Sequence, residues 1–141
     1  MKQTKELIMI VEDDRQIQDF IAYSLMTAGF GVLTAGGVEE AIRKMRSKKP
    51  DIMVLDLGLP DGDGLDLIRR VRKFSDIPII VVSARDKEED KIEALDRGAE
   101  DYITKPFSES ELMARIRVLR RHLIREERSR MGAEVSVRGL K

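Results

Sequence analysis

Short apolar runs alternate with helical periodicities along this chain. Leu7 to Val11 predicts a first strand, after which Ile17, Phe20, Ile21, Ser24 and Leu25 fall at the i, i+3, i+4, i+7, i+8 spacing of one helix face. Gly29 stops that helix. Phe30 to Ala35 predicts a second strand, and Val38, Ala41, Ile42 and Met45 mark a second helix that ends in the basic run before Pro50. Asp51 to Leu55 reads as a third strand, because a short apolar run bounded by Pro50 and a Pro/Gly-rich turn fits a strand covered on both faces. Leu65, Ile68 and Val71 line a third helix, and Ile77 to Val82 predicts a fourth strand with Pro78 at its start, where a missing N–H is tolerated. Asp86 to Arg97 reads as a helix stopped by Gly98, and Tyr102 and Ile103 as a short fifth strand. Ser108 and Glu111 have the spacing of a capping box, opening a last helix through Leu112, Ile116, Leu119 and Leu123.

Strand and helix thus alternate five times, which predicts an α/β fold with a doubly wound five-stranded parallel sheet and five helices. From Arg125 the pattern breaks up into a charge run to Arg130, and Glu134 to Gly139 then alternates like an isolated strand, too short to stand alone. Residues 1–124 therefore read as one domain, and 125–141 as a linker that enters a truncated second domain or ends as a frayed tail.

Composition narrows the classes. A chain of 141 residues holds one domain with a proper core plus a short extension. Lys and Arg balance Asp and Glu at 26 each, so bulk charge draws it neither to nucleic acid nor to membrane. Cysteine is absent, which removes disulfides, thiol catalysis and thiolate metal sites. No apolar run reaches the roughly 18 residues of a membrane span, and Met1 to Gln18 lacks the apolar centre of a signal peptide. The expectation is a soluble intracellular protein.

In an open parallel sheet, ligands bind outside the carboxyl ends of the strands. The first strand runs into Glu12, Asp13 and Asp14, the third ends at Asp56, the fourth at Ser83, and the fifth is followed by Lys105 and Pro106. Singly these are a capping turn, a turn residue, a cap and a solvated lysine. Together they bring carboxylates, a hydroxyl and an ammonium to one crevice. Glu12, Asp13 and Asp56 would repel one another unless a cation intervened, and oxygen ligands that leave room for water suit Mg²⁺. Such an ion offsets charge on an incoming phosphoryl group, Lys105 pairs with another of its oxygens and Ser83 donates to a third. Asp56 is left as the attacking carboxylate of an aspartyl phosphate.

Four segments carry a family resemblance: Ile10-Val11-Glu12-Asp13-Asp14, the run Leu55-Asp56-Leu57-Gly58-Leu59-Pro60-Asp61-Gly62-Asp63-Gly64, Val82-Ser83-Ala84-Arg85, and Gly98 to Phe107. Over residues 5–123 the chain resembles the receiver domain of bacterial two-component response regulators, in particular the branch with winged-helix DNA-binding domains. The resemblance implies a flavodoxin-like strand order 2-1-3-4-5 and a cytoplasmic protein. It implies that Asp56 accepts a phosphoryl group from a sensor histidine kinase. Asp13 resembles the direct ligand of Mg²⁺ or another divalent ion such as Mn²⁺, Glu12 the acid that reaches the metal through water, and Gly58 the residue whose carbonyl completes the protein's share. Asp14 has no fixed role. Ser83 matches the switch hydroxyl, Lys105 the family's ammonium, Tyr102 the aromatic switch, and Lys105-Pro106 the family's cis peptide.

By the same resemblance, Ser83 moves toward the phosphate and Tyr102 rotates inward. The helix from Asp86 to Arg97 shifts easily because Ile92 and Leu95 are its only sizeable apolar anchors. The face made by that helix, the fifth strand and the last helix then forms a symmetric homodimer: Lys91 with Glu111 and Asp101 with Arg115, around Ile92, Leu95 and Ala114. DNA would be bound only through a domain absent from this chain.

Other readings compete. A phosphohydrolase with an aspartyl-phosphate intermediate would place a second Asp where Gly58 stands, so turnover should be slow; a phosphate-independent interaction module would not need the full polar set. Asp61-Gly62-Asp63-Gly64 has the look of a calcium loop but lacks the following Glu. Arg115, Arg117, Arg120, Arg121 and Arg125 read as a solvated helix face, and His122, the single histidine, as a surface residue.

Overall fold

The computed structural model describes residues 5–139, with side chains described through residue 124. In chain order the elements are β1 (Leu7–Val11), α1 (Arg15–Thr27), β2 (Gly31–Ala35), α2 (Val38–Lys48), β3 (Ile52–Leu55), β4 (Gly58–Leu59), β5 (Gly62–Asp63), α3 (Gly64–Arg72), β6 (Ile79–Ser83), α4 (Glu88–Arg97), β7 (Asp101–Thr104) and α5 (Glu109–Gly139). Five strands form one parallel sheet in the order β2-β1-β3-β6-β7. Since β6 and β7 are its fourth and fifth strands, this is the expected 2-1-3-4-5 order. β4 and β5 form a separate antiparallel ribbon in the turn after β3, too short to show as a pattern in the sequence.

Alternate side chains of the central strands divide the core between the two faces of the sheet. Met9, Val11, Met53, Leu55 and Val81 pack with Ala41, Met45, Leu65, Ile68, Val71 and Ala94 of α2, α3 and α4. Ile8, Ile10, Ile52, Val54, Ile80 and Val82 pack with Ile21, Leu25, Leu112, Ile116 and Leu119 of α1 and α5. Burial on both faces is why these strands read as unbroken apolar runs rather than alternating ones.

The helices begin on identifiable caps. The Asp14 carboxylate accepts from the Gln16 and Ile17 N–H groups, and the Ser108 hydroxyl from the Glu111 N–H at 3.0 Å. Asp61 caps α2 from a distant part of the chain, accepting from Val38 N–H at 2.7 Å and Glu39 N–H at 3.1 Å, while Asp63 caps α3 through the Leu65 N–H. Both acids of the calcium-like stretch are therefore bound to helix N-termini.

Several expectations shift. β6 begins at Ile79 because Pro78 has no N–H to give and the Ile77 N–H is taken by the Ser75 hydroxyl. α4 begins at Glu88, after an extended Lys87. Phe20 does not reach the core: it is 44 % exposed, at the edge of the stripe, with its ring centroid 6.0 Å from that of Phe107. Ile92 and Leu95 do not anchor α4 either, at 49 % and 44 % exposed; the buried residue on that helix is Ala94. The strand expected over Glu134–Gly139 is helix, since the backbone of α5 continues to Gly139. Its Arg/Glu-rich start favours helix, and an unpaired strand has no ladder to join. The side chains of 125–139, Arg125 among them, and residues 140–141 at the end of the expected linker lie outside the described residues.

Candidate functional site

The register of the sheet assembles the site. The Glu12 N–H bonds to the Ala35 carbonyl and the Asp56 N–H to the Val11 carbonyl, each at 2.9 Å, so both acids leave their strands at the same edge. Leu55 pairs with Val81, and Ser83 with Thr104, which sets Ser83 and Lys105 at that edge too. The Lys105 N–H is tied to the Ser83 carbonyl at 2.8 Å, and the Lys105–Pro106 peptide is cis as expected.

At the centre, Lys105 Nζ lies 3.0 Å from Glu12 Oε1 and 3.2 Å from Asp56 Oδ2. Glu12 and Asp56 are both buried; Asp13 beside them is exposed. Each of the three acids offers an oxygen within 4.8 Å of the others. The second Glu12 oxygen accepts from the Asp14 N–H at 3.1 Å, and the second Asp56 oxygen from the Gly58 N–H at 3.3 Å. What the structure fixes at Gly58 is thus its N–H on Asp56. Asp14 is spoken for by its cap. The Gln18 amide, which no motif singled out, donates to the Glu12 carbonyl at 2.8 Å and steadies the turn.

Burial pushes the Glu12 carboxyl above its usual range; the Lys105 bond and the Asp14 N–H pull it down, and the Asp56 charge adds to the rise. For Lys105, burial works to lower the ammonium, but its bond to Glu12 and the charges of Asp56 and Glu12 outweigh it, so the net direction is up. One ammonium shared by two buried acids leaves net negative charge. An all-oxygen donor set with one exposed member fits a hard divalent cation that keeps some of its water.

Ser83 is buried, and its Oγ accepts the Arg85 N–H at 3.1 Å. The Tyr102 ring packs against the core and its hydroxyl donates to the Arg85 carbonyl at 2.8 Å. Burial raises the Tyr102 hydroxyl's pKa, with the neighbouring Ser83 hydroxyl opposing the rise.

On the α4–β7–α5 face, Arg115 Nη1 lies 3.0 Å from both Asp101 oxygens of its own chain, and its Nη2 is 3.8 Å from Glu111. Ala114 is half-buried there and Lys91 flanks Ile92. His122, Arg117, Arg120 and Arg121 are exposed, as expected; Arg120 pairs with Glu6 at 3.0 Å.

Fold and site together are those of a phosphoacceptor signalling module, and the chain belongs to the response regulator receiver domain family, whose model matches residues 8–117. Among curated proteins it is similar to the KDP operon transcriptional regulatory protein KdpE of Escherichia coli (strain K12), 49 % identical over 116 residues, and to the transcriptional regulatory protein KdpE of Staphylococcus aureus (strain NCTC 8325 / PS 47), 51 % identical over 114. These alignments cover 82 % and 81 % of this chain but 52 % and 49 % of the relatives, so the chain spans about half the length of the curated proteins it matches. Among solved structures it is similar to a CheY-like receiver domain protein from Methanospirillum hungatei JF-1, with TM-score 0.83 and 26 % identity, covering 87 % of this chain and 99 % of that one. No described helix is long and apolar enough to cross a membrane.

Proposed function

We propose that Asp56 is the phosphoacceptor, that a sensor histidine kinase is the donor, and that Glu12, Asp13, Asp56 and the Gly58 carbonyl hold Mg²⁺ or a similar divalent ion. The observation that carries this reading is the buried Asp56 carboxylate, one oxygen against Lys105 and the acids Glu12 and Asp13 alongside. The Asp56 oxygen attacks phosphorus, the bond from phosphorus to the donor's imidazole nitrogen breaks, and its electron pair leaves with the imidazole. The Asp56 carboxylate loses its charge to the new O–P bond, and Lys105, paired with Asp56 Oδ2 at 3.2 Å, is placed to pair with a phosphoryl oxygen instead. The Ser83 hydroxyl, which accepts the Arg85 N–H and bonds the Tyr102 hydroxyl, would turn its proton to a phosphoryl oxygen. Bound Mg²⁺ would neutralise phosphoryl charge during transfer.

Phosphorylation shifts a pre-existing equilibrium toward the arrangement in which the Tyr102 ring packs on the core and its hydroxyl bonds the Arg85 carbonyl. The readout is a homodimer on the α4–β7–α5 face, centred on the exposed Ile92 and Leu95. Its effect on transcription would run through a DNA-binding domain following α5, residues 125–141 being the linker to it; the relatives' names and the half of their length left uncovered support this. Such a role belongs in the cytoplasm. Hydrolysis of the phosphate is slow, because Gly58 stands where a phosphohydrolase carries its second acid.

Mass analysis after incubation with acetyl phosphate and Mg²⁺ tests the assignment. The parent gains one phosphoryl group and Asp56→Asn gains none; an unmodified parent, or a modified variant, overturns it.

A further inference from the structure

Arg85 bonds to three segments around the site: the end of β6, β7, and the turn that follows Asp56. Its N–H meets the Ser83 hydroxyl, and its carbonyl meets the Tyr102 hydroxyl at 2.8 Å. Its guanidinium reaches back across the site. Nη1 is 3.4 Å from Asp63 Oδ2, Nη2 is 3.4 Å from Asp63 Oδ1, and Nη2 is 3.5 Å from the carbonyl of Leu57, the residue after Asp56. Asp63 is rigidly placed, since the same carboxylate caps α3 through the Leu65 N–H at 3.0 Å. One side chain thus ties the loop between β6 and α4 to the turn that follows the acceptor carboxylate.

From this juxtaposition we infer that the Asp63–Arg85 pair is a positioning device for the switch. It holds the Arg85 backbone where its N–H orients Ser83 and its carbonyl holds Tyr102 inward. The inference rests on the reading of Ser83 and Tyr102 as switch residues. Arg85 is 34 % and Asp63 41 % exposed, which limits the pair's influence: pairs of this kind shift a two-state ratio by up to about fivefold. A bias of that size is suited to tuning. The switch stays reversible, and Arg85 sets how far it lies toward the inward state.

The chain itself supplies the probe. It has no tryptophan and two tyrosines, of which Tyr23 is largely exposed, so in a Tyr23→Phe background Tyr102 is the sole emitter. Its hydroxyl bond to a carbonyl quenches emission, and its partial burial limits access of acrylamide. Asp63→Asn is the chosen variant because Asn caps a helix as well as Asp does, so α3 keeps its cap while the pair loses its charge. Arg85→Gln removes the other partner and leaves the Arg85 backbone bonds available.

In the unphosphorylated protein, each single variant should raise Tyr102 emission and its acrylamide quenching constant, corresponding to a shift of about two- to fivefold in the inward-to-outward ratio. The double variant should add nothing to either single. Unchanged emission in either single variant, or additive effects in the double, overturns the inference. Phosphoryl uptake with acetyl phosphate and Mg²⁺ is measured on the same samples. A parent that takes up no phosphate overturns the Asp56 assignment while leaving the tyrosine result to decide the latch.

Discussion

Replacing Lys105 with Met tests the centre of the site, because it deletes the ammonium facing Glu12 at 3.0 Å and Asp56 at 3.2 Å and keeps most of the apolar stem. At an effective dielectric of about 20, each of these contacts is worth about 5 kcal/mol of attraction. Desolvating the ammonium costs several kcal/mol in return, and the two acids go on repelling each other once it is gone. Breaking a buried pair from one side costs about 3 to 5 kcal/mol; the lysine is partly reached by water, so about 3 kcal/mol is the expectation, a fall of about 10 °C in Tm. The loss has a pH signature. Burial holds the Glu12 carboxyl above its ordinary value, and removing Lys105 raises it further. A carboxyl raised in the folded state binds more protons folded than unfolded, so its penalty is absent below the unfolded value and grows as pH rises through the folded one. The variant should therefore recover toward the parent as pH falls. Mg²⁺ should recover it too, and raise its Tm more than the parent's, because the ion no longer shares the acids with an ammonium. Urea and thermal unfolding with and without Mg²⁺ measure both effects. A loss under about 1 kcal/mol, or a Mg²⁺ response no larger than the parent's, refutes the reasoning.

Three further outcomes are expected. Asp61→Ala removes the acceptor for the Val38 and Glu39 N–H groups, whose bonds hold the Asp61 carboxyl below its usual range. Stability from that depression is present above the unfolded value of about 3.9 and lost as pH falls through the lower folded value, so the variant should be less stable at neutral pH and show a shallower acid loss in circular-dichroism melts. Gly64→Ala would place a Cβ 2.7 Å from Leu57 Cα and 2.8 Å from the Asp56 carbonyl oxygen, backbone that cannot swing aside, and should cost about 1 to 3 kcal/mol in urea unfolding and slow phosphoryl uptake at Asp56. Ile92→Asp should leave phosphoryl uptake intact and abolish the shift to larger size that beryllofluoride and Mg²⁺ produce in size-exclusion chromatography; a variant that still dimerises counts against the proposed face.

The strands and the site edge were legible because both are written in single-element signals. A strand buried on both faces is an apolar run, and a polar residue that ends it marks the sheet edge, which is how Glu12, Asp56 and Ser83 can be found from sequence. The contributions of Asp61 and Arg85 were not legible. Asp61 caps a helix that starts 23 residues earlier, and Arg85 pairs with Asp63 across 22 residues; neither spacing leaves a periodic trace. Helix faces failed at their margins for a related reason. Spacing shows which residues share a stripe, but the width of sheet beneath it decides that Ile21 is buried and Phe20 is not.

The charge pairs on the proposed dimer face change meaning once the single chain is seen. Arg115 already bonds both Asp101 oxygens within one chain, so exchanging that partner for its copy in a second chain conserves the number of pairs and contributes almost nothing to affinity. Association strength then falls on Ile92 and Leu95, each about half exposed. Covering the remaining half of these two side chains on both protomers is worth about 4 kcal/mol, at about 1 kcal/mol each. Lost translational and rotational freedom costs about 4 to 15 kcal/mol, so that apolar centre at most breaks even. The ion pairs fix register, the apolar centre gives marginal attraction, and a dimer on this face needs the further contribution of an α4 held in one place. Arg85, in the loop that leads into that helix, bonds the Leu57 carbonyl next to Asp56, the Ser83 hydroxyl and the Tyr102 hydroxyl, and on the proposed reading this is the route by which a phosphoryl group at the sheet edge would bear on whether two chains associate.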